Sequence, residues 1–333
     1  MNKFVELPLL EPLYATYHNQ GPSTAIIVNN PSIKNWYLNQ IMNLTCNRKF
    51  LSGFTTPEIT ISDSSWYANP FLDKIWYPMQ FAKGSIHSII REMLNQGYYV
   101  AFMGIDDYYV EGKSWYKERH FNHDGLICGY NQVDKTYCIF AYDSKWVYQK
   151  FWTPQKAFEQ GRKATFKNGV FGSICGLKVK EDRADFSPKT TCFKIQEYLD
   201  SNLEKYPFDG EGDVFGIVVH EYIAKYVTKL MDGSISYERM DRRVFRMIWE
   251  HKKVMLERIM ALETSLQIGE KCSTEYKSVV EGANTMRMLY ASYHMKQRDS
   301  LLPVIQRKLL AVSSAEREIL TALLGLAGKE LAK

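Results

Sequence analysis

A chain of 333 residues can form one large domain or two smaller ones, and its 45% apolar and 24% charged residues are typical of a globular protein. The net charge of +5, from 42 basic and 37 acidic residues, is too small and too dispersed to predict a nucleic-acid partner. The aromatic content is high, since 22 Tyr, 17 Phe and 7 Trp make up 14% of the chain. Aromatic side chains at this density fill a core or line a pocket for planar or apolar ligands.

The cysteines and the N-terminus indicate a cytoplasmic protein. Six cysteines lack CxxC spacing, which predicts reduced, unpaired thiols and neither a disulfide framework nor a zinc site: Cys46, Cys128, Cys138, Cys175, Cys192 and Cys272. The opening sequence MNKFVELPLLEPLYATYHNQ does not have the pattern of a signal peptide. No stretch reaches the roughly 18 uninterrupted apolar residues of a membrane span. We therefore expect no membrane partner and no bound metal.

The first half of the chain combines short helical and strand patterns. Residues 21–30, GPSTAIIVNN, join small residues to an apolar run and predict the start of a buried helix. Residues 84–97 carry an apolar stripe at helical spacing, with Gly97 as the stop signal. Residues 98–106, YYVAFMGID, then predict a buried strand.

Two further strands are predicted at 124–131 and 136–143, joined by the turn residues between them. Residues 153–164 predict a helix, with Thr153 as its N-cap and Pro154 in its first turn.

The second half of the chain has the periodicity of helices. Ser187 and Pro188 mark a boundary, which predicts a domain over 1–188 and a helical domain over 189–333. Helices are predicted at 191–206, 213–231, 236–269, 272–298 and 300–330. The expected fold class is therefore α+β, with an antiparallel sheet in the first domain and a helical C-terminal region that closes a substrate cleft.

One histidine and one aspartate flank the two predicted strands at 124–131 and 136–143. His123 precedes the first strand and Asp143 ends the second, so antiparallel pairing brings the two side chains together. A carboxylate that orients an imidazole is the arrangement of a general base. The alternative is that His123 caps a strand and Asp143 begins a turn. His120 is a rival base, although its polar surroundings favour exposure to solvent.

The stretch HFNHDGLICGYNQVDKTYCIFAYD (120–143) resembles the His/Asp half of papain-like cysteine-protease homologues. The upstream stretch IREMLNQGYYVAFMGIDDYYVEGKSWY (90–116) is similar to the N-terminal region of the butirosin biosynthesis protein H family, which has an acidic–Tyr pair before the histidine. The resemblance covers roughly 10–165. It implies a papain-like fold in which a helix packs on an antiparallel sheet.

Proteins of this group, including a closthioamide-type amide synthetase, form amide bonds. The resemblance therefore implies acyl transfer from an acyl or peptidyl carrier protein, through an acyl-enzyme, to a small amine acceptor. It implies no cofactor of the protein's own, because the carrier protein supplies phosphopantetheine. Hydrolysis by a cysteine peptidase or thioesterase is the competing outcome. A catalytically inactive protein that binds a peptide or carrier protein is the alternative from another class, and homodimerisation is left open.

The resemblance places the nucleophile in QGPSTAII, at the start of the first helix, where the helix dipole lowers a thiol pKa. Ser23 occupies the position of the family's cysteine. Three explanations are open: a Cys-to-Ser substitution, a natural serine acyltransferase, or a misplaced alignment or inactive binding protein.

Residues that would hold the substrate are less well defined. The family's oxyanion-binding Gln falls here on Tyr17, so the nearby Asn19 and Gln20 are the candidate donors, with ordinary loop roles as the alternative. Asp106 and Asp107 end the predicted strand over 98–106 and are candidates to orient the amine, unless they form a solvated turn, and the adjacent Tyr108 is a further candidate for substrate binding. The aromatic run at 64–79 is predicted to line an acyl pocket or to pack in the core.

Overall fold

The computed structural model describes residues 2–333 except 54, 63, 66, 80–85, 168, 170, 171, 181, 182 and 202–212. The chain divides into two compact units. We call Met1–Pro31 with Ser65–Asp182 the sheet unit, and Ser32–Ser64 with Arg183–Lys333 the helical unit.

The described strands are β1 Phe4–Glu6, β2 Leu44–Asn47, β3 Ile59–Ile61, β4 Leu72–Pro78, β5 Tyr99–Asp106, β6 Asn122–Asn131, β7 Thr136–Tyr142, β8 Tyr148–Pro154, β9 Ser173–Val179 and β10 Asp213–Phe215. The described α-helices are α1 Gly21–Ile27, α2 Pro31–Gln40, α3 Ile86–Asn95, α4 Gln155–Lys167, α5 Pro188–Asp200, α6 Val219–Met231, α7 Val244–Leu266, α8 Lys271–Lys296 and α9 Leu301–Leu331. None of the described helices is both long and apolar enough to cross a membrane.

The sheet unit is built on an antiparallel sheet in the order β4-β9-β5-β6-β7-β8, with β1 paired to β6. Alternate residues of the central strands point into a core that α3 and α4 also supply, including Val100, Phe102, Ile127, Ile90 and Phe158. Aromatic side chains contribute to this core, so part of the high aromatic content is accounted for by packing.

A β-bulge interrupts the pairing of β5 with β6. Phe102 lies opposite Gly125, but Ile105 lies opposite His123, so one extra residue has entered β5. Gly104 sits in the bulge with φ of +73°, a conformation that glycine adopts without a Cβ penalty. Its N–H donates to Asp124 Oδ1 at 3.1 Å. The bulge therefore lies next to the start of β6.

The helical unit consists of α2 and α5–α9 with a small antiparallel sheet in the order β10-β2-β3. Its core contains a buried charged cluster, which we call the Glu316 cluster: Glu316, Lys252, His220, His251, Tyr198 and Tyr276. Lys252 Nζ lies 2.6 Å from Glu316 Oε2, and both tyrosine hydroxyls donate to the Glu316 carboxylate. His220 is fully buried, as its apolar sequence context predicts.

The predicted domain boundary after residue 188 is wrong for 32–64, which the structure places in the helical unit. The reason is pairing across a long stretch of sequence, because β2 forms its ladder with β10. In addition, the buried Arg258 donates to the carbonyls of Leu38 at 2.5 Å and Ile41 at 2.8 Å. A buried guanidinium needs hydrogen-bond acceptors, so these two bonds hold residues 38–41 against α7.

The α+β class, the antiparallel sheet and the helical C-terminal region are confirmed. So are helix α1, the strands β5, β6 and β7, and the positive φ of Gly97 after α3. The cap predicted at Thr153 is wrong, because Thr153 and Pro154 end β8 and α4 begins at Gln155. The helix predicted over 213–231 begins only at Val219, after β10. Residues 202–206 of another predicted helix lie outside the described part of the chain.

Candidate active site

The predicted base His123 lies near the start of β6, opposite the end of β5. Asp107 follows β5 directly, and its Oδ2 lies 3.0 Å from His123 Nδ1. The Asp107 side chain is 2% exposed and that of His123 is 21% exposed. A buried carboxylate thus fixes one ring nitrogen, and we assign a hydrogen to Nδ1 on this geometry. Nε2 is the ring nitrogen that this contact leaves unoccupied.

A buried lysine completes this arrangement. Lys113 Nζ lies 3.4 Å from Asp107 Oδ1, and the lysine side chain is 1% exposed. Its Nζ also lies 3.4 Å from the Asp124 carbonyl oxygen. Burial lowers the pKa of Lys113, and the Asp107 carboxylate opposes that shift. Asp107 therefore contacts the lysine amine and the imidazole at once.

The predicted pair of Asp143 with His123 is wrong, because the Asp143 carboxylate is used within its own turn. Its Oδ1 accepts from the N–H groups of Lys145 at 2.8 Å and Val147 at 2.9 Å, and its Oδ2 accepts from Gln149 Nε2 at 2.5 Å. Burial raises the pKa of Asp143, but these hydrogen bonds outweigh burial and lower it. Asp143 thus organises the β7–β8 hairpin, the alternative that the sequence left open, and the orienting carboxylate is Asp107.

A second histidine–aspartate pair lies beside the first. His120 Nδ1 is 2.7 Å from Asp106 Oδ2, and the His120 side chain is 59% exposed, as its polar context predicts. Asp106 Oδ1 accepts from the N–H groups of Tyr108 and Phe121, each at 3.1 Å. Both carboxylate oxygens of Asp106 thus have protein partners, and its role in orienting an amine stays a prediction. Tyr108 stacks on His120 with ring centroids 4.3 Å apart, so it belongs to this pair.

The predicted nucleophile Ser23 lies in the first turn of α1, every residue of which is buried. The Ser23 hydroxyl donates to the Gln20 carbonyl at 3.1 Å. Because a hydroxyl has one hydrogen, it must rotate away from Gln20 before it can donate to a base. Access to this serine therefore requires a local rearrangement in the first turn of α1.

The candidate oxyanion donors Asn19 and Gln20 belong to the turn that leads into α1. The N–H groups of Gln20 and Gly21 both donate to the Tyr17 carbonyl at 3.0 Å. The Asn19 side chain is exposed, whereas Gln20 is fully buried. The structure therefore separates the two candidates by environment, since Asn19 faces solvent and only Gln20 shares the buried surroundings of Ser23.

His18 was not predicted, and it lies against the base. Its ring meets that of His123 edge-on, with centroids 4.2 Å apart and an interplanar angle of 80°. Both ring nitrogens of His18 are buried and have no hydrogen-bond partner in the described part of the chain. Burial lowers the pKa of His18 well below its ordinary value, and the charges of His123 and Lys113 lower it further. Such an unpaired buried group costs about 1–3 kcal/mol.

Tyr148 is the other unexpected residue of this site. Its hydroxyl is buried and lacks a partner among the described residues, and its ring centroid lies 5.6 Å from that of His18. A Cβ placed on Gly21 would lie 2.6 Å from the Tyr148 hydroxyl oxygen, so this hydroxyl touches the start of α1. Burial raises the pKa of Tyr148, so the hydroxyl keeps its hydrogen.

The neighbouring Tyr142 differs from Tyr148, because its hydroxyl donates to the Ala15 carbonyl at 2.7 Å. The Tyr142 ring also meets His18 edge-on, with centroids 5.5 Å apart. This hydrogen bond ties the segment before α1 to the end of β7. Because His18 belongs to this segment, the hydrogen bond helps to place its ring beside His123, although His18 is far from β6 in the sequence.

Exposed aromatic rings surround the entrance to His123. Phe121 lies 5.1 Å from the His123 ring by centroids, and Trp115 contacts both Phe121 and Trp146. Phe121 is 38% exposed and Trp146 is 49% exposed. From the aromatic run at 64–79, Tyr67 and Trp76 form an exposed stack with centroids 5.5 Å apart, while residue 66 lies outside the described residues.

The six cysteines are unpaired, as predicted. Cys128 and Cys138 are buried in β6 and β7, and Cys46 is buried in β2, where burial raises its pKa. Across the described ranges, no three His, Cys, Asp or Glu side chains are arranged to hold a metal ion. A cavity of about 540 Å³ lies elsewhere in the sheet unit, beside His87 and Lys163, and contains none of the site residues.

Neither comparison with known proteins identifies a relative of the chain. No protein-family model matches it, and no curated protein shows a significant sequence match.

Proposed function

We propose that the sheet unit is a papain-like acyltransferase that moves an acyl group from a carrier-protein thioester to an amine. The observation that carries the proposal is the His123–Asp107 pair, in which a buried carboxylate lies 3.0 Å from one ring nitrogen and leaves the other for proton transfer. The sequence resemblance around 86–146 and the position of Ser23 at the start of α1 support it further.

The proposed reaction has two displacement steps. Ser23 Oγ attacks the thioester carbonyl carbon while His123 Nε2 takes the hydroxyl proton, and the carbonyl electrons move to oxygen. The tetrahedral intermediate then collapses, the carbon–sulfur bond breaks, and His123 protonates the departing phosphopantetheine thiolate. In the second step the amine attacks the acyl-serine ester, loses its proton to His123, and Ser23 leaves with that proton.

Each residue near the site has a defined task in this proposal. Asp107 holds the His123 ring and stabilises the imidazolium that forms during the reaction, and Lys113 is the cationic partner of Asp107. The exposed rings of Phe121 and Trp146, with the half-buried Trp115 between them, offer an apolar surface for the acyl group next to His123. The carrier protein supplies phosphopantetheine, and water in place of the amine gives hydrolysis.

Intact-protein mass spectrometry tests the proposal. The protein and its Ser23→Cys variant are incubated with a panel of acylated carrier proteins and then with amines. We expect an acyl adduct that maps to position 23 and is released as an amide. His123→Ala should abolish the adduct, and Asp107→Asn should slow its formation by about 10³- to 10⁴-fold, as loss of the orienting carboxylate does in serine proteases.

His120→Ala is the matched control, because His120 also pairs with an aspartate but lies on the exposed side. It should form the adduct at close to the wild-type rate. An adduct that survives in His123→Ala, or one that maps to another residue, contradicts the assignment. If neither the protein nor Ser23→Cys forms an adduct, a binding protein without catalytic activity is favoured.

A further inference from the structure

Two neutral hydrogen-bond donors near the start of α1 have no acceptor in the described part of the chain. One is the His18 imidazole, both of whose nitrogens are buried without a partner, and the other is the Tyr148 hydroxyl. A neutral imidazole carries one N–H and a phenol one O–H, so each group has a hydrogen to donate. Buried polar groups in proteins are nearly always paired, so two orphans in adjacent rings call for an explanation.

Their location indicates what they would bind. The His18 ring packs edge-on against His123, the proposed base, at a centroid distance of 4.2 Å. The Tyr148 hydroxyl touches Gly21, two residues before Ser23. The two donors thus flank the short stretch that carries the proposed nucleophile.

The neutral charge state of the two donors also fits a carbonyl oxygen as the ligand atom. Burial and two nearby cations hold the pKa of His18 low, so its imidazole is neutral at physiological pH. A neutral donor polarises a carbonyl without contributing a full charge that would need its own counter-ion. A proton-accepting role fits His18 less well, since the same surroundings disfavour its protonated form.

We propose that His18 and Tyr148 are catalytic residues that bind the oxygen of the tetrahedral intermediate formed on Ser23. This inference rests on the proposed function. As the carbonyl carbon bonds to Ser23 Oγ, the electrons of the C=O double bond move to oxygen, and the two donors stabilise the resulting oxyanion. They take the place that the sequence suggested for Asn19 and Gln20.

The inference predicts that replacing His18 leaves thermal stability the same or higher but weakens binding of a tetrahedral anion. His18→Phe keeps a flat ring of similar size but removes the two buried, unpaired nitrogens. Its melting temperature should therefore equal or exceed that of the wild type. Its affinity for a tetrahedral anion at position 23 should fall. A purely structural role for His18 would lower both quantities.

Phenylboronic acid is the probe, because its boron accepts the Ser23 oxygen and becomes a tetrahedral anion. Binding to the full chain is measured by ¹¹B NMR and titration calorimetry, with Ser23→Ala as the negative control. His18→Phe should weaken binding by about 10²-fold, the usual effect of removing one oxyanion donor. Tyr148→Phe should weaken it by roughly tenfold, and His18→Gln, which retains an N–H donor, by less than His18→Phe.

The matched controls are His87→Phe and Tyr137→Phe. These residues form another adjacent His–Tyr pair of the sheet unit, but they bond to each other, with His87 Nδ1 2.7 Å from the Tyr137 hydroxyl. Their loss should lower stability and leave boronate affinity within about twofold, since no donor near Ser23 is removed.

The outcomes separate the two proposals. Tetrahedral boronate on the wild type, with unchanged affinity in His18→Phe and Tyr148→Phe, overturns the role of the two donors and leaves Ser23 as nucleophile. Absence of tetrahedral boronate on the wild type contradicts Ser23 as the nucleophile, and the inference that rests on it fails as well.

Discussion

A lysine is buried against a carboxylate both in the Glu316 cluster of the helical unit and in the site around His123 in the sheet unit. The two sites differ in the hydrogen-bond partners of their polar atoms. Glu316 accepts hydrogen bonds from Lys252, Tyr198 and Tyr276, and none of these four side chains has access to solvent. In the sheet unit, Asp107 and Lys113 are equally buried, but His123 is 21% exposed. Beside it, His18 and Tyr148 keep unpaired polar atoms.

The difference separates a cluster that supports a fold from one suited to a ligand. In the Glu316 cluster the protein itself supplies the partners of the buried carboxylate, so these groups fix how α7 and α9 pack, although His220 Nε2 lies 3.9 Å from Glu316 Oε2 without a hydrogen bond. In the His123 site, donors are held in place without acceptors, which costs stability in the free protein. We therefore expect substitutions in the first cluster to act on folding, and those beside His123 to act on binding and chemistry.

The largest effect on stability should come from Lys252→Met. It leaves Glu316 buried without its 2.6 Å cation partner, so the free energy of unfolding should fall by about 3–5 kcal/mol in urea titrations. Lys253→Met is the matched control on the next position of α7, where the amine lies over the Trp249 ring. It should cost at most about 1 kcal/mol.

A double variant sharpens this prediction. Lys252→Met with Glu316→Met removes both charges, and the pair should be less destabilised than Lys252→Met alone. If the single variant were as stable as the wild type, the Glu316 cluster would not support the fold in the way described.

The next effect is on the pH dependence of unfolding. Burial lowers the pKa of His220 from 6.5 to about 4, so folded His220 stays neutral while the unfolded residue takes up a proton. Stability from this histidine is therefore present above pH 6.5 and is lost as the pH falls towards 4, by about 3 kcal/mol. His220→Gln should reduce the slope of unfolding free energy against pH over this range, and the buried His251 and His18 should account for part of the slope that remains. His294→Gln, at the half-exposed end of α8, should leave it nearly unchanged.

Glu316 adds to the acid sensitivity at lower pH. Burial raises its pKa, but the charge and the hydrogen bond of Lys252 outweigh burial and lower it to about 2. Its contribution is present above about pH 4.5 and is lost as the pH falls towards 2. A wild-type profile that stays flat from pH 6.5 to 4 would contradict the assignment of a buried neutral His220.

The smallest effect is expected from Asp143→Ala, which tests the corrected carboxylate. Losing the turn hydrogen bonds should cost about 1–2 kcal/mol of unfolding free energy, but the acyl-adduct rate should stay within a few-fold of wild type. Asp134→Ala, in the exposed β6–β7 turn, is the control and should cost less. A loss of adduct formation in Asp143→Ala as large as that in Asp107→Asn would restore the original assignment.

Local patterns in the sequence predict part of the sheet unit. Apolar alternation and the stop at Gly97 predict α3, β5, β6 and β7, because each signal acts over a few residues. The membership of 32–64 was not predictable in this way, since it depends on the pairing of β2 with β10 and on contacts made by Arg258. Those partners lie more than a hundred residues away in the chain.

The candidate site was predicted in part. His123 was identified as a base, but its carboxylate partner was taken from β7 because antiparallel pairing also brings Asp143 near. Asp107 contacts His123 instead, because backbone N–H groups of the β7–β8 hairpin donate to the Asp143 carboxylate. His18 and Tyr148 carry no motif, and only the fold brings them together.

The bulge at Gly104 has a consequence for protein engineering. Since side chains alternate along a strand, the extra residue in β5 changes which face the following residues occupy, so Ile105 joins Val100 and Phe102 in the core. Side chains of β5 before the bulge therefore alternate between the two faces of the sheet in one register. Those after the bulge, which lead to Asp107, alternate in a register shifted by one residue. A library could recombine the apolar half freely, whereas deletion of a single codon at Gly104 would rotate the carboxylate away from its histidine.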